Sequence, residues 1–271
     1  MVLDIGTAKL SVQERRGIPH HLLDVVDVKT DVTVSWYQEL ARAKIDELRN
    51  AGKSVRGYLQ KPVPRDVIEA IIEIAKWAPS SMNTQPWHVH VVTGEPLERI
   101  RKGNTDNMVA GIPPKRDFPM KESYEGVHRK RQIDVAVQLF EAMGIERDDK
   151  ERRTDWVMRG FRQFDAPVSL VLTYDKYLEP AAISQFDLGA FSHAIVLAAW
   201  EQGLGCVING QGIMQSSVVR EHAGIPDDQN IMICIALGYP DESFVANSVK
   251  SVRADNATFV RYVGFDETTR T

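Results

Sequence analysis

The chain has 271 residues, of which 43% are hydrophobic and 26% are charged, and its net charge is -4. These values are typical of one globular enzyme domain. The weak negative charge, without an acidic tail or a basic arm, excludes the basic surface by which proteins bind nucleic acids.

The two cysteines, Cys206 and Cys234, lie in separate apolar runs, so they indicate neither a disulfide framework nor a metal cluster. The N-terminus lacks the basic and apolar regions of a signal peptide. No stretch approaches the roughly 18 apolar residues that a membrane span needs. We therefore expect a cytoplasmic protein in a reducing compartment, without a membrane partner.

The first elements are a patternless segment and two helices. Residues 1–33 show neither a helical nor a strand period. A helix is predicted from Ser35 to Asn50, where apolar residues recur at intervals of three and four, and Gly52 follows as its end. A second helix is predicted to begin at Pro62-Val63-Pro64-Arg65, because a proline N–H is not needed there, and to end at Ala78-Pro79.

The remaining elements alternate irregularly between strands and helices. Short runs rich in β-branched residues predict strands at Trp87–Thr93, Val168–Tyr174 and Ile231–Leu237. The segment from Leu188 to Gln202 is apolar on most of its circumference, which indicates a central buried helix. The charged region from Lys115 to Arg162 predicts exposed helices joined by loops. This order of elements favours an α+β fold.

A polar turn, Ala78–Trp87, connects the second helix to the first strand. It contains three hydroxyl groups and two side-chain amides. Such groups are suited to holding a polar ligand. Trp87 itself is expected to pack in the core.

With Ser54-Val55-Arg56 upstream and Gly203-Leu204-Gly205 downstream, the polar turn resembles the flavin-binding signature of the nitroreductase family. The resemblance extends from about Ser54 to Gly264. It implies a nitroreductase-like α+β fold, with a central, mostly antiparallel sheet flanked by helices, in a homodimer. It also implies bound flavin mononucleotide (FMN), with NAD(P)H as electron donor. Because the flavin carries the hydride, no catalytic side chain is expected.

The resemblance implies three groups of cofactor-binding residues. The phosphate of FMN would be held by Lys53, Ser54, Arg56, Lys250 and Arg253. The ribityl chain or the ring would contact Pro79, Ser80, Ser81 and Asn83. The segment from Gly205 to Gly210 resembles the family's loop after the central helix. Its main-chain N–H groups at Ile208, Asn209 and Gly210 would meet flavin N5 and O4 and stabilise negative charge. The family pattern around the serine is Arg-Arg-Ser-x-Arg, so the first arginine is missing here and Lys53 replaces the second.

Residues 108–164 would form a lid insertion over the flavin. The aromatic and charged residues of this segment that would contact a nitroaromatic substrate are Tyr124, His128, Arg129 and Trp156. Packing at a dimer surface is the alternative for each of them.

Residues 1–53 resemble an internal fragment of bacterial tRNA dimethylallyltransferases, through Asp4-Ile5-Gly6-Thr7-Ala8-Lys9 and Ile18-Pro19-His20-His21-Leu22. That activity needs a phosphate-binding loop, Gly-x-x-x-x-Gly-Lys-Ser/Thr, between a strand and a helix. Only Gly52-Lys53-Ser54 is present, and the first glycine would fall on Glu47. We therefore expect an N-terminal extension that substitutes for the first helix of a flavin domain at residues 54–271.

The predicted function is FMN-dependent transfer of hydride from NAD(P)H to nitroaromatic compounds, through nitroso to hydroxylamine, by a ping-pong cycle. A reductive dehalogenase, or another flavin-dependent reductase of the same superfamily, is the alternative enzyme. A non-enzymatic flavoprotein is the alternative class. The pairs His20-His21 and His88-x-His90 supply two ligands each, so no metal site is predicted.

Overall fold

The computed structural model of the chain describes residues 53–118, 123–179 and 182–265, together with isolated positions between 33 and 43. Its centre is a four-stranded antiparallel sheet with the order β1-β2-β4-β3. The strands are β1 (His88–Thr93), β2 (Val168–Asp175), β3 (Gly205–Asn209) and β4 (Gln229–Gly238). The predicted α+β fold with an antiparallel sheet is confirmed.

Helices cover both faces of the sheet. Those described are α1 (Arg65–Ala75), α2 (Gly94–Val109), α3 (Gly126–Ala142), α4 (Lys150–Phe161), α5 (Ala182–Glu201) and α6 (Ser216–Ala223). The face that carries Leu170 and Leu172 packs against α1 and α5, and the face that carries Val171 packs against α2 and α6. All three side chains are fully buried, because successive residues of β2 alternate between two covered faces.

The predicted helix after Pro62-Val63-Pro64-Arg65 and the predicted strand at Trp87–Thr93 are confirmed. α1 begins directly after Pro64, at a position where a helix does not need the missing proline N–H. β1 begins one residue after Trp87, which stacks on Phe191 of α5 with ring centres 4.6 Å apart. Trp87 therefore packs in the core, as its bulk and position predict.

α5 is the central helix of the fold, and it begins before the predicted Leu188. Its 20 residues reach the length and apolar character of a membrane span. The expectation that no stretch comes near that limit is therefore wrong. Half of the helix is buried inside the protein, where it packs against α1 and the sheet, so it is a core helix in this fold.

The region predicted as a lid agrees with its sequence pattern, whereas β3 differs from the prediction. Residues predicted as a lid form α3 and α4, in agreement with the charged pattern of this region. The segment Gly205–Asn209, predicted as a loop, is a strand because it pairs with β4 over its whole length. The N-terminal motifs lie outside the described residues. The predicted helix at Ser35–Asn50 is described only at isolated positions, where Ser35 and Trp36 are helical.

Candidate functional site

A strap formed by Lys53–Gly57 extends the open edge of β3. Ser54 forms a parallel bridge with Cys206, and the Val55 N–H donates to the Cys206 carbonyl at 2.9 Å. Gly205 permits this approach, since a Cβ there would come within 2.5 Å of the Val55 side chain. The strap is therefore held against the edge of the sheet.

The main chain of Ile208 is open at the same edge. The N–H and C=O of one residue in an antiparallel strand point to the same side, and those of the next residue point to the opposite side. Because the Cys206 carbonyl faces the strap, the main-chain groups of Ile208, two residues on, face the side away from β4. Among the residues that the structure describes, a Cβ on Gly210 would meet only Ile233, at 3.9 Å, and these residues leave space beside this loop. This edge can offer main-chain donors to a flat ligand.

The Asn209 side chain is buried and shapes the same loop. Its Nδ2 donates to the Gly160 carbonyl at 2.7 Å, and its Oδ1 accepts from the Gln211 N–H at 2.9 Å. The Asn209 carbonyl accepts a hydrogen bond from the thiol of Cys234, with Sγ at 3.1 Å. Asn209 follows Ile208 in the strand, so its own main chain faces β4. The main-chain donors open to a ligand are therefore those of its neighbours Ile208 and Gly210.

Arg56 is a half-buried cation. Its Nη1 donates to the Ser54 carbonyl at 3.3 Å, and no carboxylate of the described residues pairs with it. Burial lowers the pKa of the Arg56 guanidinium, because the charged form loses solvation. A guanidinium without its own carboxylate is suited to an anionic ligand such as a phosphate.

The tail, residues 239–265, clamps the strap through Asn247, which is only 5% exposed. Asn247 Oδ1 accepts from the N–H groups of Arg56 at 2.7 Å and Gly57 at 3.2 Å. Its Nδ2 donates to the carbonyls of Gly57 at 2.9 Å and Asp241 at 3.0 Å. One side chain thus joins two segments that are 190 residues apart in sequence.

α4 contacts the strap as well. Arg159 Nη2 donates to the Arg56 carbonyl at 3.0 Å, and its guanidinium lies 4.8 Å from the centre of the Phe244 ring. Asp165 lies 3.3 Å from Arg159 and balances its charge. Trp156 stacks on Phe244, with ring centres 6.4 Å apart. Among the predicted substrate residues, Trp156 is therefore placed beside the strap.

The other predicted lid residues lie at the start of α3. These residues are Tyr124, His128 and Arg129, and all three are exposed. Arg129 donates to Gln132 on the same helix at 2.6 Å. Within the described part of the chain, none of the three forms a hydrogen bond to the strap.

The predicted cations of the tail have different surroundings. Lys250 is exposed and follows Asn247 by three residues. Arg253 is also exposed, and its Nη1 donates to the carbonyl and to the Oγ of Ser251 at 3.0 and 2.6 Å. It lines a cavity of about 530 Å³ between the tail and α3. Lys250 is therefore close in the chain to the clamp, whereas Arg253 bonds to its own segment.

The polar turn lies at the start of β1 and has a strained main chain. Three of its residues have φ values between 46° and 59°, namely Met82, Asn83 and Gln85. Non-glycine residues seldom adopt this left-handed conformation, and it is often found at binding sites. The turn is held by Asp187 of α5, whose buried carboxylate accepts from the Ser81 N–H at 3.0 Å, and by Ser80 Oγ, which accepts from the Gln85 N–H at 3.0 Å.

The polar turn and the strap lie at opposite edges of the sheet. β1 and β3 are its two outer strands, and three spacings between strands separate them by about 14 Å. No hydrogen bond among the described residues joins the two regions. In the turn, Pro79 and Asn83 are exposed, while Ser80 and Ser81 are partly buried. One chain therefore brings together the strap, the open edge at Ile208 and the start of the tail, but not the polar turn.

Residues 53–239 match the profile of the nitroreductase family. The chain belongs to this family. It is 36% identical over 225 residues to a nitrobenzene nitroreductase of Ectopseudomonas oleovorans, which covers 81% of this chain and 96% of that protein. A 4-nitrobenzoate reductase of Pseudomonas putida is 31% identical over 216 residues, or 79% of this chain and 93% of that protein.

A solved structure agrees with this assignment. The FMN-dependent nitroreductase NfnB of Mycobacterium smegmatis, in complex with NADPH, superposes with a TM-score of 0.75 at 26% identity. The match covers 82% of this chain and 99% of that one.

The N-terminal segment has a different relationship. Residues 2–55 match the profile of IPP transferases. Over 51 residues the chain is 59% identical to a tRNA dimethylallyltransferase of Thermobifida fusca, and this match covers 16% of that protein. The predicted resemblance to a fragment of this enzyme is confirmed. The two matches meet at residues 53–55, inside the strap.

Two residues that matter for the geometry escaped prediction as site residues: Asn247 and Asp187. A carboxylate such as Asp187 inside an apolar helix is a signal, because buried carboxylates need partners. Asn247 had no such signal, since it lies in an irregular polar segment and its partners are distant in sequence.

Proposed function

We propose that this nitroreductase is an FMN-dependent enzyme that transfers hydride from NADPH or NADH to nitroaromatic compounds. The observation that carries the proposal is Arg56, a half-buried guanidinium that has no carboxylate partner among the described residues and lies on the sheet edge that also exposes the main chain of Ile208. The relatives are named for the reduction of nitrobenzene and 4-nitrobenzoate, and NfnB is named as FMN-dependent.

The residues present fit the chemistry of FMN. The phosphate would be bound by the cations and hydroxyl of the strap and the tail, namely Lys53, Ser54, Arg56, Lys250 and Arg253. The open main-chain N–H groups at Ile208 and Gly210 would bind the polar edge of the ring and stabilise negative charge there, without a side chain that titrates. FMN supplies the hydride chemistry when bound, and the protein binds and orients it.

A second copy of the chain would complete the site. The polar turn lies at the opposite edge of the sheet from the strap, so two chains related by a two-fold axis would bring one turn to the other chain's strap. α5 supports this arrangement, because a helix that is apolar on most sides is normally covered on most sides. In one chain its outer face leaves three large apolar residues exposed, Ile183 by 49%, Phe186 by 73% and Leu197 by 43%.

The lid would supply the substrate contacts. Trp156 beside the strap offers an aromatic surface for a nitroaromatic ring. Tyr124, His128 and Arg129 are proposed to line the entrance. Both cysteines are free and buried, which is consistent with a protein of the cytoplasm.

The visible absorption spectrum of the purified protein tests the proposal. We expect the spectrum of bound oxidised flavin, and we expect it to bleach when NADPH or NADH is added without oxygen. Reoxidation by nitrobenzene would complete the cycle. Flavin that binds but does not bleach would indicate a non-enzymatic flavoprotein, and absence of flavin after reconstitution would contradict the proposal. Turnover of a halotyrosine in place of nitrobenzene would favour a reductive dehalogenase.

A further inference from the structure

We propose that Asn247 is a positioning residue for the phosphate of FMN. It joins the strap, which carries Arg56, to the tail, which carries Lys250. The inference rests on the proposed function, because it takes FMN as the ligand of these cations. Asn247 itself would not touch the flavin.

The hydrogen bonds of Asn247 fix the main chain of the strap. A side-chain amide has one carbonyl oxygen with two lone pairs and two N–H donors. Asn247 uses all four, on the N–H groups of Arg56 and Gly57 and on the carbonyls of Gly57 and Asp241. Both peptide groups that flank the Cα of Gly57 are therefore bound to one buried side chain, and the plane of the Arg56 N–H is set with them.

The position of Arg56 depends on this clamp. The strap is otherwise tied by the Val55 N–H to β3 and by Arg159 to the Arg56 carbonyl. The Asp241 N–H also donates to the Gly57 carbonyl at 3.1 Å, and the Tyr58 hydroxyl donates to the Val55 carbonyl at 2.7 Å. Among the described residues, Asn247 is the sole partner of the Arg56 N–H. The guanidinium is at the end of a long side chain whose Cα is next to this N–H. A small rotation of the peptide therefore causes a larger displacement of the charged group.

The same residue sets the separation of two cations. Lys250 follows Asn247 by three residues, and Arg56 is bonded directly to it. A charge-assisted contact to a phosphate requires a distance of about 2.7–2.9 Å from each donor. Asn247 would therefore place Arg56 and Lys250 so that both can reach one phosphate group.

The experiment compares FMN with riboflavin, which lacks the phosphate. Dissociation constants of both flavins are measured by fluorescence titration of the full-length apoprotein. For Asn247→Ala we expect the Kd for FMN to rise by about ten- to hundredfold, and the Kd for riboflavin by less than about threefold. Ser248→Ala is the matched control, because among the described residues its Oγ bonds only to the Val245 carbonyl in the same turn, and it should change neither value.

The outcomes separate this inference from the proposed function. An equal loss of affinity for both flavins would show that Asn247 merely supports the fold, and would overturn the inference alone. Failure of the wild-type protein to bind FMN would overturn the proposed function and the inference together. If Asn247→Ala does not fold, Asn247→Ser, whose hydroxyl keeps one acceptor, decides the question by the same ratio of the two dissociation constants.

Discussion

Replacement of Gly57 by alanine tests whether the strap determines the position of Arg56. A Cβ on Gly57 would lie 2.2 Å from Cγ of Phe244, whereas carbon atoms in contact are about 3.5–4.0 Å apart. The two residues must therefore separate by roughly 1.3 Å or more. Phe244 is held by contacts with the ring of Trp156 and the guanidinium of Arg159, so we expect the strap to move.

The structure indicates two effects of this substitution. Overpacking lowers the free energy of unfolding by about 1–3 kcal/mol. A shift of the strap also moves the Arg56 guanidinium away from the phosphate, and the loss of one charge-assisted hydrogen bond costs about 1.5–3 kcal/mol of binding free energy. The Kd for FMN should therefore rise by about ten- to hundredfold.

The assay is a fluorescence titration of the apoprotein with FMN, together with thermal unfolding of the same samples. Gly103→Ala is the matched control, because its Cβ would lie 2.6 Å from Val218, in the contact between α2 and α6 and away from the strap. It should lower the melting temperature to a similar degree and leave the Kd for FMN unchanged. The reasoning is refuted if Gly57→Ala binds FMN as the wild type does, or if Gly103→Ala weakens FMN binding equally.

Further predictions concern the turn, the dimer and the thiols. Asp187→Ala removes the acceptor of the Ser81 N–H, so amide hydrogen exchange in the polar turn should become about tenfold faster or more. Asp187→Asn keeps an acceptor oxygen and should remain nearer the wild type. Equal exchange rates in all three proteins would contradict this prediction. Phe186→Asp on the exposed face of α5 should give an inactive monomer by sedimentation, and a fully active monomer would argue against a site shared by two chains. Burial raises the pKa of Cys206 and Cys234 to about 12, so both thiols are neutral at pH 8. They should react with a thiol reagent only after unfolding, and rapid labelling of the native protein would disprove this prediction.

Much of the fold could be predicted because its elements have local patterns. The prolines at its start predicted α1, and β-branched runs predicted β1, β2 and β4. These patterns are properties of consecutive residues, so they do not depend on the rest of the chain. β3 was predicted as a loop from its resemblance to the family's loop after the central helix, and its five residues form a strand because β4 provides a partner.

The sequence by itself determined the family, the polar turn and the cations of the strap, since motifs of neighbouring residues carry this information. The tertiary structure alone decided which of these groups meet. Packing brings Asn247 to Gly57 across 190 residues and buries Arg56 without a carboxylate partner among the described residues. The strand order places the polar turn and the strap at opposite edges of the sheet. Contacts between distant segments depend on the pairing of strands and the packing of helices, which no local pattern specifies.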